Sequence, residues 1–99
     1  MSKGVTLTLA LYFKPEAVES FVRNLPGMLK ETANFPGFRS AQAYRHKSDP
    51  SQILFVEEWE SEEAHTKYMA WRAETGDVDE LSAMLAQPTR ADVWTTLIA

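Results

Sequence analysis

The sequence predicts an α+β domain, a four-stranded antiparallel sheet with two helices on one face, in the β-α-β-β-α-β order of the ferredoxin-like split βαβ pattern. Three observations predict it. Residues 4–13 alternate apolar side chains with small or polar ones, the period of a strand, and residues 52–60 read as a hydrophobic strand ending at Trp59. Residues 15–33 and 61–73 repeat apolar side chains at helical spacing. Turn-forming stretches separate the elements: Phe35-Pro36-Gly37-Phe38, Ser48-Asp49-Pro50-Ser51 and Gln87-Pro88. The 99 residues suffice for one such domain, spanning 1–99, and leave no room for a second core.

In strand one (4–13), Val5, Leu7, Leu9, Leu11 and Phe13 share one face, and Thr6, Thr8, Ala10 and Tyr12 the other. The first face is fully apolar. The second carries no charge, which is unusual for a surface meant to meet water. Pro15 suits the first position of a helix, and Val18, Phe21, Val22, Leu25, Met28, Leu29 and Thr32 keep a stripe to about residue 33. Pro26 cannot donate to the carbonyl four residues back, yet the stripe stays in phase across it, which predicts one kinked helix rather than two.

Strand two, about 38–46, joins strand three, 52–60, through the hairpin connection at 48–51. Phe55, Glu57 and Trp59 fall on one side of strand three, with Leu54, Val56 and Glu58 on the other. Ser61 caps helix two (61–73), with Glu62 and Glu63 in the first turn, where the helix dipole favours negative charge. Ala64, Tyr68 and Trp71 centre its inward stripe and leave His65 at the margin. Gly76 ends that helix, and Asp77 with Glu80 reads as a capping box for a short helix to about Ala86. Ala91, Val93, Thr95 and Leu97 then alternate with Asp92, Trp94 and Thr96 as a last strand. The uncharged face of strand one needs a cover. A second copy of the same sheet is the simplest, so the expectation is a two-fold homodimer packed sheet to sheet.

Ten basic against fourteen acidic residues give a net charge of −4. No basic run exceeds Arg45-His46-Lys47, which argues against a nucleic-acid partner, because phosphate binding needs a basic field. The absence of cysteine excludes disulfides, zinc thiolates and thiol nucleophiles. Two histidines nineteen residues apart, without clustered carboxylates, make no ligand set, and four ungrouped glycines make no phosphate loop. No metal or cofactor is expected. Glu57 and Glu58, adjacent in a strand, point to opposite faces and form no carboxylate pair. The N-terminal MSKGVTLTLALYF alternates, lacking the apolar core of a signal peptide, and no apolar run reaches membrane-spanning length. The expectation is a cytoplasmic protein without a membrane partner.

The alternating first strand running into Lys14-Pro15, the Phe35–Phe38 turn, the Asp49-Pro50 hairpin, and Glu58-Trp59 followed by Ser61-Glu62-Glu63-Ala64-His65 span nearly the whole chain. In their order and spacing the chain resembles the antibiotic biosynthesis monooxygenase domains, which are dimeric α+β barrels. That family includes cofactor-independent oxygenases of quinols and anthrone-like polyphenols, haem-degrading enzymes, an isomerase of a signalling sugar phosphate, and members without established activity. Many members carry a His nine residues after the strand-three Trp. Here that position is Tyr68, and His65 lies one turn earlier. The haem-degrading relatives use an Asn on strand one and a late His in the helix-two region; strand one here has no Asn, and no His follows His65.

The resemblance implies a cofactor-independent monooxygenase that oxidises a quinol or related aromatic polyphenol with molecular oxygen. Oxygen reacts readily only with the electron-rich phenolate, so the protein must take a proton and shield the anion from bulk water. A neutral His near its operating pKa is the natural base. His65 is the expected base, and Tyr68 is expected to orient or protonate the oxygen intermediate. Trp59 and Trp71 would stack on a flat ring, with Phe55, Leu9 and Leu11 completing the apolar wall around the substrate. His46, at the hairpin mouth beside Lys47, is expected to be exposed, and Arg39 and Arg45 to pair across strands with Glu58 or Glu60. Two rival readings stand beside this one. The first is a non-catalytic dimeric small-ligand-binding or interaction module with a filled core. The second is isomerase or lyase chemistry on a polar metabolite, which needs Arg39 or Arg45 turned into a cavity.

Overall fold

The computed structural model describes residues 4–99. Its elements follow in the order β1 (Val5–Tyr12), α1 (Pro15–Ala33), β2 (Phe38–Arg45), β3 (Gln52–Trp59), α2 (Glu62–Glu74), α3 (Asp77–Met84) and β4 (Arg90–Trp94). The strands form one sheet in the order β2-β3-β1-β4, with every neighbouring pair antiparallel. This is the α+β split βαβ architecture that the sequence predicts.

Register decides which side chains meet. Leu9 lies opposite Phe55 on one side and Ala91 on the other, and Leu7 lies opposite Glu57 and Val93. Leu7, Leu11, Ile53, Phe55 and Trp59 therefore share one face, and all five are buried. Under α1, Val18 and Phe21 pack on Leu11, Phe13, Ile53 and Phe55, while Leu81, Met84 and Leu85 close the cluster from the α3 side. Phe13 and Phe21 rings stand 4.6 Å apart. Burying each large apolar side chain contributes about 1.5–3 kcal/mol. A second cluster, Leu7, Trp59 and Tyr68, lies under α2.

Helix α1 begins with Pro at its first turn and runs through Pro26 to Ala33 as a single element, as the in-phase stripe predicts. The hairpin between β2 and β3 is held by His46, which is exposed and whose Nδ1 accepts from the backbone N–H groups of Ser48 and Asp49 at 3.0 Å each. Ser61 caps α2, its Oγ accepting from Ala64 N at 3.1 Å. Gly37 adopts φ +89, and a Cβ there would lie 2.5 Å from that of Ala64. The Phe35–Phe38 turn thus sits hard against the start of α2, and only glycine permits the approach.

Two expectations are corrected. Asp77 does not open a capping box: α3 starts after Gly76 at φ 84 without a side-chain cap, because the Asp77 carboxylate is engaged by Arg72 at 2.8 Å. The last strand stops at Trp94 rather than near Leu97. Trp94 pairs with Thr6, the last rung of the ladder between β1 and β4 among the described residues. Leu97 and Ile98 are left exposed.

The face away from the helices carries Thr6, Thr8, Ala10 and Tyr12 of β1, all half-buried. Around them stand Tyr44, Leu54 and Trp94, each exposed, and Trp94 Nε1 donates to Thr8 Oγ1 at 2.9 Å. Among the described residues no helix is long and apolar enough to cross a membrane.

Candidate functional site

Trp59 ends β3 on the helix face and is 0% exposed. The chain then turns at Ser61 into α2, which returns His65 and Tyr68 over that ring. The Trp59 centroid lies 5.0 Å from that of Tyr68 and 5.4 Å from that of His65, the latter at 74°. Phe35 meets Trp59, Tyr68 and Trp71 at 6.4, 5.4 and 5.7 Å. The aromatic cluster is closely packed. A shallow surface depression lined by Phe35, Gly37, Ser61, Ala64 and Lys67 lies beside it and shares Phe35 and Ala64 with it.

Of the sequence-predicted residues, Trp59, His65, Tyr68 and Trp71 come together here. Leu11 and Phe55 belong to the other cluster, under α1, with Leu9 packed against it. The inward face of α2 also differs from expectation. Its buried row is His65, Tyr68 and Arg72, with Ala64 and Trp71 half-buried. His65 is therefore not marginal; it is 9% exposed, edge-on to Trp59, and among the described residues its buried Nε2 has no hydrogen-bond partner. Burial holds its pKa below the ordinary value, with Glu62 pulling weakly the other way. The imidazole is thus neutral near pH 7, with one nitrogen an acceptor.

The Tyr68 hydroxyl is firmly held. It accepts from Arg72 Nε at 2.8 Å and lies 2.8 Å from Thr32 Oγ1, which donates to Met28 O at 3.0 Å. Arg72 further reaches Asp77, Met28 O and Thr32 and lies over the Tyr68 and Trp71 rings. One guanidinium thereby ties α1, α2 and the start of α3 to the same phenol. The bond to Arg72 draws the Asp77 carboxyl below its usual range.

Sequence reasoning missed Arg72, the bonds that the Thr32 hydroxyl makes to Tyr68 and Arg72, and the burial of Glu57. Glu57 is 7% exposed, its Oε1 accepts from Trp59 Nε1 at 2.9 Å, and burial raises its pKa. The signal was present, since alternation places Glu57 between Phe55 and Trp59 on one face. The Arg45 expectation is corrected: its partners are Glu19 of α1 and Pro50 O, at 2.5 and 2.7 Å, because the helix-side face of β2 looks at α1 rather than at the carboxylates of the open face. The Arg39 guanidinium packs over Gly4.

A sequence model of the antibiotic biosynthesis monooxygenase family matches residues 4–74. The chain belongs to this family. Solved structures share its fold at low identity. Rv0793 from Mycobacterium tuberculosis is 18% identical with a TM-score of 0.84, covering 98% of each chain. SnoaB from Streptomyces nogalater, a cofactor-independent oxygenase, is 16% identical with a TM-score of 0.80, covering 96% of this chain and 94% of that one. A conserved protein from Methanosarcina mazei is 20% identical with a TM-score of 0.81, covering 92% and 90%. No curated protein matches the sequence. Within this antibiotic biosynthesis monooxygenase domain, the aromatic cluster packs flat rings around a neutral imidazole with little access for water.

Proposed function

We propose that this family member is a cofactor-independent monooxygenase acting on a quinol or related aromatic polyphenol. The observation that carries the reading is the buried Nε2 of His65, unpaired among the described residues, against Trp59. A buried polar atom without a partner costs about 1–3 kcal/mol, and a phenolic O–H is the partner it would accept from. His65 takes that proton, and the apolar surround keeps the resulting phenolate electron-rich. The phenolate gives an electron to oxygen, the two radicals combine into a peroxide anion, and the proton held by His65 returns to it to give the hydroperoxide. Loss of water leaves the oxygenated product. One oxygen atom enters the substrate, the other leaves as water, and the substrate supplies all four electrons.

In this reading Trp59 and Trp71 wall the guest. Tyr68 orients it through its ring, since its hydroxyl is engaged by Arg72 and Thr32. The depression at Phe35 and Ala64 is the approach, and Leu9, Leu11 and Phe55 back the site from the neighbouring core. The chain works as a homodimer closed over the face carrying Thr8, Ala10 and Leu54. The close packing around Trp59 supports a second reading, a non-catalytic ligand-binding or interaction module. Incubating the chain with a quinol panel under labelled oxygen separates the two. One labelled atom per product molecule supports the monooxygenase. Unchanged quinols across the panel, together with tight binding of one of them, support the module.

A further inference from the structure

We infer that Glu57 is a positioning residue for His65: it holds the Trp59 indole N–H and so keeps the imidazole Nε2 free to accept a proton. The inference rests on the reading of His65 as the proton acceptor and adds a residue to it.

Glu57 breaks the pattern of its strand. Ile53, Phe55 and Trp59 on the same face are buried apolar residues, and the residues opposite Glu57 are Leu7 on β1 and Ala41 on β2. An apolar side chain would fit the face but leave the buried Trp59 indole N–H without its acceptor, so the carboxyl, expensive to desolvate, is kept for that bond. Local rules broken in this way concentrate at functional sites. The carboxyl has a specific task within reach, since its Oε1 accepts from Trp59 Nε1 at 2.9 Å.

That bond matters because of what the donor would otherwise do. Trp59 is nearer to His65 than Tyr68 is, with ring centroids at 5.4 Å against 6.1 Å. The Tyr68 hydroxyl is already engaged by Thr32 and Arg72. Without Glu57, an indole N–H and an imidazole lone pair would stand unpaired in one apolar cluster, and each would satisfy the other. His65 would then be occupied by Trp59 and lost as a base. With Glu57 in place, the indole N–H is engaged by the carboxyl, and Nε2 keeps its lone pair for a guest.

Nitrogen-15 NMR of the indole and imidazole signals tests this in the full chain, with Glu57→Gln and Glu57→Leu compared with wild type. Gln keeps a carbonyl acceptor in place; Leu removes it. The expected result is that Gln leaves the Trp59 Nε1–H and His65 Nε2 signals near their wild-type positions, while Leu displaces both. Equal displacement by the two variants, or none of His65 by Leu, overturns the inference. If the Leu variant fails to fold, Glu57→Met serves in its place. Where quinol turnover is measurable, Leu is expected to lower kcat about tenfold or more with KM little changed. The NMR result stands independently of turnover. Displaced signals without oxygen uptake in the wild type support the positioning role while removing the monooxygenase reading, and uptake with unmoved signals does the reverse.

Discussion

His65 carries an atom that ordinary core design would avoid. Replacing it with Phe keeps the ring contact with Trp59 and removes the unpaired nitrogen. His65→Phe is therefore predicted to melt at or above the wild-type temperature, by as much as ~1 kcal/mol in stability, while abolishing quinol oxidation. A side chain kept at the expense of stability marks function. The two buried titrating groups also leave opposite signatures in stability against pH. Burial holds His65 below its ordinary 6.5, so just under that pH the unfolded chain binds more protons than the folded one. Its contribution is complete above 6.5 and is lost as pH falls toward the folded pKa. Glu57 is raised above 4.5, so its contribution is complete below 4.5 and is lost as pH rises toward the folded pKa. Denaturant titrations should show the acid-side loss flattened in His65→Phe and the loss above 4.5 flattened in Glu57→Gln.

Among the elements, the junction of α1, α2 and α3 depends on Arg72. Truncating it to Ala leaves the Tyr68 hydroxyl and Asp77 without this donor, with an expected loss of about 2–4 kcal/mol by denaturant unfolding. Lys is not expected to restore it, because an ammonium cannot reproduce a planar fork reaching Tyr68, Thr32 and Asp77 together. This junction was the part of the molecule least legible in sequence. The strands and the unbroken α1 could be read because alternation and an in-phase stripe are local patterns, and Pro26 did not disturb the phase. Arg72 could not, since a charged residue near the end of a helix reads as solvated until the partners that bury it, Thr32 and Met28 O of α1, are brought across by the fold. The same holds for Asp77, which looked like a cap by spacing and is engaged by Arg72 instead. His65 was legible by type but misplaced by the helical wheel, which centred the inward face on Ala64, Tyr68 and Trp71; Tyr68 is buried as expected, while His65 and Arg72 take the places given to Ala64 and Trp71. The late end of β4 was overestimated because alternation in the sequence continues past Trp94, where the described ladder with β1 ends.

At the scale of the molecule, the open sheet face is the surface on which the proposed assembly rests. Thr6, Thr8, Ala10 and Tyr12 form an uncharged central strip, with Tyr44, Leu54 and Trp94 exposed beside it. This uncharged strip, flanked by Glu58, Arg90 and Asp92 on the neighbouring strands, is predicted to be covered by a second copy. Light scattering at micromolar concentration should give the mass of two chains, and Leu54→Arg should give one, since unpaired arginines would face each other across the two-fold contact. A wild-type mass of one chain would remove the dimer from the account. Function is tested most directly by the rate of oxygen consumption with a saturating quinol, compared between wild type and His65→Phe under identical conditions. The account predicts steady uptake by the wild type and a loss of about a hundredfold or more in the variant; equal rates in the two, or no uptake with any quinol, would contradict it.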